Sequence, residues 1–239
     1  MSSHIELIVV CTDDESPDAL LKTVPKYREL IRSTVLYEKR PCSTPRVVNM
    51  VMNAMRKGRG NPLAWVIIHP DVELPDGFFA NLREGMFQLS KIDPDYGVLG
   101  VMGVRLLDKG RMCCGHLWDR DYEAGAPLEC PLVVDALDEV CVILRGDRDW
   151  RLDDAGLATY HLWASELCLR EKAEGRTSYV LPGLYLKHLS TAPREVPLDP
   201  NFFFNLGVLS ERYRQPGMRL TTPSGSVYDD GGNEGVQLC

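Results

Sequence analysis

The chain has 239 residues, of which 44% are hydrophobic, and a formal net charge of −7. This length and composition suit one large domain with a sizeable core, and the acidic balance excludes a global attraction to nucleic acid or anionic membranes. No apolar run approaches the roughly 20 residues of a membrane span, and no signal-peptide pattern opens the sequence, so we expect a soluble cytoplasmic protein.

The eight cysteines do not form a zinc or redox motif. Cys113 and Cys114 are adjacent, the others are scattered, and no Cys-x-x-Cys occurs. This spacing argues against a zinc ribbon or a thioredoxin-like site and predicts reduced thiols, several of them buried.

The first seventy residues alternate predicted strands and helices. The strands are expected over 5–11, 34–37 and 63–68, and the helices over 17–31 and 46–57. Such alternation is typical of a parallel sheet with helices packed on it, and the nearly continuous apolar run 63–68 suits a strand buried on both faces. The absence of Gly-x-Gly-x-x-Gly and Walker A loops argues against a dinucleotide dehydrogenase or a P-loop enzyme.

The second half of the chain is less regular. We predict helices over 77–91 and 160–174, strands over 96–107 and 179–186, a strand pair over 132–144, and a loop or small hairpins over 108–131. Residues 1–215 are therefore expected to form one α/β domain. Residues 216–239, rich in Gly, Ser, Thr, Asp and Pro, are expected to form a flexible tail.

The third predicted strand ends at a turn that carries chemistry. Pro70 lacks an N–H and cannot continue a central strand, so the chain presents His69 and Asp71 at the carboxyl end of that strand. In open α/β sheets this edge is where ligands bind. The alternative is a plain turn in which Asp71 caps the next segment.

Three short motifs occur in order along the chain. They are His69-Pro70-Asp71-Val72 after the third strand, His161-Leu162-Trp163-Ala164 at the start of a helix, and His188-Leu189-Ser190 at the end of a late strand. With these motifs, residues 5–192 resemble nucleotide-diphospho-sugar glycosyltransferases of the GT-A fold, in the family-2-like bacterial and viral group with a His-x-Asp-Val turn. The resemblance implies a Rossmann-like α/β domain with a mostly parallel central sheet flanked by helices.

The resemblance also implies metal-assisted sugar transfer from a nucleotide donor to a hydroxyl acceptor. The superfamily binds a divalent metal through an Asp-x-Asp turn, whose last Asp matches Asp71, while His69 replaces the first Asp and is expected beside the donor. His188 matches a second ligand position, and Mn²⁺ or Mg²⁺ would suit such a site. The alternative for His188 is a hydrogen-bonded histidine at a strand end.

The resemblance implies that the nucleoside contacts loop residues that follow the first two strands. The matching positions are Thr12, Asp13 and Glu38, together with Asn49 in the second helix. An acid there would accept hydrogen bonds from ribose hydroxyls or a base N–H. Alternatively, Asp13 belongs to a charged helix approach, and Asn49 lies on a solvent-facing helix surface.

An inverting transferase needs a base that takes the proton of the acceptor hydroxyl. Relatives carry a Glu-Asp pair where this chain has Trp163-Ala164, so the base cannot be assigned by position. The acids and imidazole near this region are Asp138, Glu166, His161, Asp153 and Asp154. Asp138 and Glu166 are the leading alternatives, because an unpaired acid at Asp138, between two apolar stretches, would be costly to bury.

Two other functions compete with sugar transfer. The missing first Asp and the missing Glu-Asp pair are compatible with a degenerate GT-A domain that binds a nucleotide-sugar or a partner without turnover. A nucleotidyltransferase is disfavoured, because residues 11–14 lack its Gly-rich basic signature. The acceptor is open among a glycan, a protein, a small molecule and modified DNA, the last disfavoured by the net charge.

Overall fold

The structure is a computed structural model of an α/β protein. It describes residues 4–12, 17–24, 31–38, 43–157, 161–190, 199–213, 219–223, 225–229 and 234–238. The helices in these residues are α1 (Asp18–Thr23), α2 (Thr44–Arg59), α3 (Phe78–Ile92), α4 (Trp163–Ala173) and α5 (Pro200–Arg212). The strands are β1 (Ile5–Thr12), β2 (Ile31–Glu38), β3 (Ala64–Ile68), β4 (Val72–Glu73), β5 (Leu99–Gly100), β6 (Met102–Leu106), β7 (Arg111–Asp119), β8 (Tyr122–Gly125), β9 (Leu132–Val134), β10 (Ala136–Leu137), β11 (Cys141–Arg145), β12 (Ser178–Val180), β13 (Leu186–His188), β14 (Arg219–Thr222), β15 (Gly225–Asp229) and β16 (Glu234–Leu238).

The central sheet has seven strands in the order β2-β1-β3-β11-β5-β12-β9. Strand β1 runs parallel to β2 and β3, and all five residues of β3 are buried, which confirms a buried central strand. The sequence analysis predicts a mostly parallel sheet, but the observed sheet is mixed. Strand β11 runs antiparallel to both β3 and β5, and β9 runs antiparallel to β12.

Helices cover both faces of this sheet, as the sequence predicts. Along β3, Val66 and Ile68 pack into one apolar core with α1 and α3. Trp65 and Ile67 point to the other face and pack with α2, α4 and α5. This alternation follows from the two-residue period of a strand. Among the described residues, no helix is both long and apolar enough to cross a membrane.

A second, smaller sheet brings a late strand back to the end of β3. Its order is β10-β6-β7-β13-β4, with β8 paired to β7. Strand β13 is parallel to β7 and antiparallel to β4, and this register places His188 opposite Asp119 on one side and Val72 on the other. Because β4 follows β3 after a short turn, His188 lies beside that turn.

Two elements differ from the sequence predictions, and one open alternative is settled. Helix α1 ends at Thr23 and Ile31 already belongs to β2, so the helix predicted over 17–31 is too long; residues 25–30 lie outside the described ones. The region 108–131, predicted as a loop or small hairpins, contains a hairpin, in which the nine-residue strand β7 pairs with β8. Helix α5 was not predicted. Its first turn is capped by Asp199, whose side chain accepts a hydrogen bond from the Asn201 N–H.

The C-terminal segment contains more structure than its composition predicts. Strands β14, β15 and β16 form an antiparallel sheet. Leu220, Thr221 and Thr222 are buried, and the carbonyl of Thr222 accepts a hydrogen bond of 2.7 Å from Arg111. The described part of the predicted tail is therefore paired, and β14 packs against β6 and β10. The domain boundary at residue 215 stays a prediction.

Candidate functional site

The site is built on the turn between β3 and β4. His69 follows the last residue of β3, and its N–H donates to the carbonyl of Val140 next to β11 at 3.0 Å. The carbonyl of Asp71 accepts a hydrogen bond of 2.7 Å from the N–H of Leu189, just after β13. Both ends of the turn are thus held by neighbouring strands, which fixes the side chains of His69 and Asp71.

His69, Asp71 and His188 form one cluster of possible metal ligands. One ligand atom from each residue lies within 4.8 Å of the others. Asp71 Oδ1 is 3.3 Å from His188 Nε2 and 3.9 Å from His69 Nδ1, and the two imidazole centroids are 5.5 Å apart. The sequence analysis placed Asp71 and His188 at the metal and His69 beside the donor; the structure brings all three together.

The carboxylates and imidazoles of this cluster shift one another's pKa values toward the charged forms. Burial of Asp71 opposes its ionisation, but His188 and His69 outweigh that effect and lower its pKa. Burial of His188 lowers its pKa, but the carboxylates of Asp71, Asp119 and Asp138 outweigh burial and raise it. Three carboxylates therefore act on the His188 imidazole, and two imidazoles act on the Asp71 carboxylate.

Asp119 fixes the orientation of His188. Its Oδ1 accepts a hydrogen bond of 3.0 Å from His188 Nδ1, so His188 Nε2 points toward Asp71. A carboxylate behind a ligating histidine sets the ring tautomer and raises the basicity of the other nitrogen. Asp119 ends β7, in the region predicted to be loop or small hairpins.

The donor set fits a divalent transition metal. Asp71 Oδ1 is closed off from water and has no well-aligned hydrogen-bond donor, which is the state expected of an oxygen built to bind a cation. Two imidazoles and one carboxylate favour a first-row transition metal such as Mn²⁺ over Mg²⁺, which prefers an all-oxygen shell. Remaining coordination positions would be left for water or a ligand.

The turn between β10 and β11 adds two acids next to this cluster. Asp138 is half-buried, its Oδ1 accepts a hydrogen bond of 2.9 Å from the Val140 N–H, and its charge acts on His188. Because Val140 also holds His69, Asp138 lies beside the metal-binding turn. Of the three predicted catalytic residues, Asp138 has the most direct link to the cluster.

Glu139 is a half-buried acid that the sequence analysis did not single out. Its Oε1 is closed off from water, and burial, together with the neighbouring Asp138 carboxylate, raises its pKa well above the usual value. The N–H groups of Ala164 and Leu162, at the start of α4, partly offset this effect. Glu139 thus links the β10–β11 turn to the first turn of α4.

We expect Glu139→Gln to raise the midpoint of thermal unfolding, by more at pH 8 than at pH 5. The raised pKa means that the native state disfavours ionisation, so the carboxyl destabilises it as the pH rises above the pKa of the unfolded chain. Each unit of pKa shift is worth about 1.4 kcal/mol, and about 2–4 °C per kcal/mol is expected for a chain of this size.

Glu84→Gln is the matched control, because Glu84 is exposed on α3. Its unfolding midpoint should follow wild type at both pH values. A Glu139→Gln variant that is less stable than wild type at pH 8 would contradict this description of Glu139.

His161 lies at the edge of the site. Its Nε2 is 3.8 Å from Asp199, its ring contacts Phe202 edge-on, and its carbonyl accepts a hydrogen bond from Asn205. Burial lowers its pKa, Asp199 opposes that effect, and His69 adds to it. The electrostatic link to His69 places His161 between the metal-binding turn and α5.

Glu166 lies in a buried network away from these contacts. It is 2% exposed, and Tyr213 donates a hydrogen bond of 2.9 Å to its Oε1. Arg170 and Arg212 are each 3.8 Å away, and Arg212 also pairs with Asp153 at 2.6 Å. These contacts join α4 to α5 and do not bring Glu166 to the His–Asp–His cluster.

The predicted nucleoside residues have different placements. Both polar groups of the Asn49 amide bond the backbone of Leu152, at 2.9 and 2.8 Å. Asn49 is therefore buried and does not lie on a solvent-facing helix surface, while its contact with the nucleoside stays a prediction. Thr12 and Glu38 are paired in register at the carboxyl ends of β1 and β2, at the sheet edge where β3 leads into the metal-binding turn. Asp13 lies outside the described residues.

Two strained backbone positions flank the site. In the part of the chain that the structure describes, the non-glycine residues with positive φ are Arg120 at 61° and Leu162 at 66°. Arg120 follows Asp119, and Leu162 precedes α4 beside Glu139. Residues other than glycine rarely adopt this backbone conformation, and such backbone strain concentrates at functional sites. It supports the location of the site.

Comparisons with known proteins bear on the fold. No protein-family model and no curated protein match the sequence. A crystal structure of A197 from STIV aligns with a TM-score of 0.47 and 11% identity, over 77% of this chain and 85% of that one. A crystal structure of GalNAc-T7 with UDP, GalNAc and Mn²⁺ aligns with a TM-score of 0.52 and 10% identity. The alignment covers 88% of this chain and 49% of the GalNAc-T7 chain, so this chain spans about half the length of GalNAc-T7. The likeness to GalNAc-T7 shows that the chain has a GT-A-like fold.

Proposed function

We propose that this protein is a metal-assisted glycosyltransferase that moves a sugar from a nucleoside-diphosphate donor to a hydroxyl acceptor. The observation that carries the proposal is the cluster of His69, Asp71 and His188 at the carboxyl end of a central strand. The GT-A-like fold supports it, and the similar GalNAc-T7 structure contains UDP, GalNAc and Mn²⁺. The acceptor is a glycan, a protein or a small molecule.

In this reaction the acceptor oxygen attacks the anomeric carbon of the sugar, and the bond from that carbon to the diphosphate oxygen breaks. The nucleoside diphosphate leaves with the electron pair. A bound divalent cation, Mn²⁺ or Mg²⁺, supplies positive charge that stabilises this leaving group. Asp71, His69 and His188 would hold the cation, and Asp119 keeps His188 oriented.

The acceptor proton needs a base. Asp138 is the residue we favour, because it is held beside the metal-binding turn and its charge reaches His188. His161 is the second choice, and Glu166 the third because of its buried network. Thr12, Asp13 and Glu38 are proposed to contact the nucleoside.

The test measures the thermal unfolding midpoint with UDP, GDP, CDP, ADP or dTDP, each in the presence of Mn²⁺, Mg²⁺ or EDTA. Labelled sugar donors that carry the nucleobase of the binding diphosphate are then assayed for turnover. A ligand at 100 times its Kd adds about 2.7 kcal/mol to the native state, which shifts the unfolding midpoint visibly. We expect the diphosphate of one nucleobase to stabilise the protein only when metal is present. The sugar donor with the same nucleobase should be turned over. Metal-dependent binding without any sugar release would instead favour a degenerate, binding-only domain, and no binding at all would refute both.

A further inference from the structure

A cavity of about 540 Å³ lies at the end of the central sheet opposite the metal-binding turn. It is formed by one side of α3, the segment that leads into β3, and the end of β11, where Arg145 pairs in register with Ala64. The chain runs from Leu63 at this cavity along β3 to His69 at the metal cluster, which is about 20 Å at roughly 3.3 Å per residue. The cavity is therefore a separate place from the candidate metal site.

Most of the cavity wall is apolar. Met86 and Tyr96 are buried in it, and Phe87 beside them is 57% exposed. Helix α3 contributes Arg83, Met86, Phe87 and Ser90, which share one face because residues three, four and seven apart are neighbours on a helix. A cavity of this size with an apolar wall and a few polar groups is typical of a small-molecule site.

The hydroxyl of Tyr96 is one of these polar groups. Tyr96 is 3% exposed, and the guanidinium carbon of Arg145 lies 4.7 Å from the centre of its ring. Among the residues that the structure describes, none makes a hydrogen bond to this hydroxyl, although a buried tyrosine normally has such a partner. Burial raises the pKa of Tyr96 to about 12, so the hydroxyl keeps its proton at neutral pH and can donate it to an oxygen in the cavity.

The charges that line the cavity leave one guanidinium without a counter-ion. Arg145 forms a forked pair with Asp147 at 2.9 and 2.6 Å, and its remaining Nη1 donates to the carbonyl of Pro94 at 2.6 Å. Arg83 is exposed at the cavity, and in the described part of the chain it has no hydrogen bond or ion pair. The cavity therefore offers one unpaired positive charge to a ligand.

We propose that this cavity binds a small apolar molecule that carries one carboxylate group. The apolar body packs against Met86 and Phe87. Arg83 pairs with the carboxylate, and the Tyr96 hydroxyl donates a hydrogen bond to an oxygen of the ligand. A fatty acid and an aromatic acid share this chemistry. The inference concerns a second site, and it does not depend on sugar transfer.

The experiment is an NMR titration of protein labelled with carbon-13 at the methionine methyl groups. The Met86 signal, identified by its loss in Met86→Leu, reports on the cavity, and the other methionine signals show whether each variant is folded. The probes are decanoate and naphthoate, each with its neutral alcohol, decanol and naphthylmethanol. The variants are Arg83→Gln and Tyr96→Phe. Lys22→Gln is the control, because Lys22 is an exposed cation on α1 that does not line the cavity.

We expect at least one carboxylate to shift the Met86 signal saturably, and its alcohol to bind about 5–10-fold more weakly. Arg83→Gln and Tyr96→Phe should each weaken carboxylate binding about 5–10-fold. Arg83→Gln should leave the affinity for the alcohol within about twofold of wild type, because the alcohol makes no ionic contact. Lys22→Gln should bind every probe like wild type. Tighter binding of decanoate would identify the ligand as a fatty acid, and tighter binding of naphthoate as an aromatic acid.

Three results would overturn the inference. The first is a Met86 signal that neither carboxylate shifts. The second is equal affinity of the wild-type protein for a carboxylate and its alcohol, which would remove the role of the charge. The third is an unchanged carboxylate affinity in either Arg83→Gln or Tyr96→Phe, which would place the carboxylate away from these two side chains.

Discussion

Replacing Asp71 with alanine is expected to reduce donor turnover by at least 10²–10³-fold. Asp71 supplies the sole carboxylate of the three-residue cluster, and its Oδ1 faces both imidazoles. Without it, the cluster has two neutral ligands, and the charge that binds a divalent cation is lost. Removing a group that stabilises the leaving group in the transition state has effects of this order.

The fold should survive this change. The backbone carbonyl of Asp71 still accepts the hydrogen bond from Leu189, and His188 keeps its hydrogen bond to Asp119. Circular dichroism and the unfolding midpoint in EDTA should therefore match wild type within a few degrees. High Mn²⁺ should not restore turnover.

Glu73→Gln is the control for Asp71→Ala. Glu73 is exposed, lies two residues further along the chain and pairs in register with Lys187 on β13. It removes one negative charge close to the site without touching the cluster, so turnover should stay near wild type. An Asp71→Ala variant with wild-type turnover would remove the metal from the mechanism.

Replacing Asp119 with asparagine is expected to weaken Mn²⁺ binding about 10–100-fold, as is typical of carboxylates that support a ligating histidine. Asp119 accepts the hydrogen bond from His188 Nδ1 and so keeps Nε2 turned toward Asp71. Asparagine provides a weaker acceptor and carries no charge, so the imidazole becomes less basic and less well oriented.

This defect differs from that of Asp71→Ala because excess metal should repair it. The ligands themselves remain, so the turnover rate at saturating Mn²⁺ should return to within about tenfold of wild type. The measurement is turnover against Mn²⁺ concentration. Asp121→Asn, an exposed acid in the same hairpin turn, is the control and should leave the metal titration unchanged. An Asp119→Asn curve that overlays wild type would show that His188 does not depend on Asp119.

The sequence predicts the metal-binding turn because its signals are local. An apolar run that Pro70 ends must present Asp71 at a sheet edge, whatever the rest of the chain does. The contact between Asp71 and His188 is not local. It depends on β13 pairing with β4 and β7, and the resemblance to a known family, not the residue pattern, suggested that His188 belongs to the site.

The role of Asp119 was missed because the region 108–131 was predicted only as a loop or small hairpins, and β7 does not look like a strand. It contains Gly115 with a φ of 105° and adjacent cysteines, so its alternation is broken. Its pairing with β8 and β13 is a tertiary property. The dipeptide Arg120-Asp121 also gives no hairpin signal, since glycine or asparagine is expected there.

The position of Glu166 shows why the pattern of residues along a helix could not identify a catalytic residue. Helix α4 has buried residues on most of its surface, including Ser165, Glu166 and Glu171, so its sequence does not reveal which side faces the cleft. The fold turns Glu166 toward Tyr213 on the segment after α5, a helix that the sequence analysis did not predict. Glu139 instead reaches the first turn of α4 from another element.

Pulsed electron paramagnetic resonance of bound Mn²⁺ tests most directly whether His69, Asp71 and His188 bind a divalent cation. Wild-type protein with one equivalent of Mn²⁺ should show electron spin-echo modulation from two coordinated imidazole nitrogens. His188→Gln should reduce that to one, and Asp71→Ala should leave most of the Mn²⁺ free in solution. Tightly bound Mn²⁺ with only oxygen ligands in the wild-type protein would contradict the account, because the ion would then occupy another site.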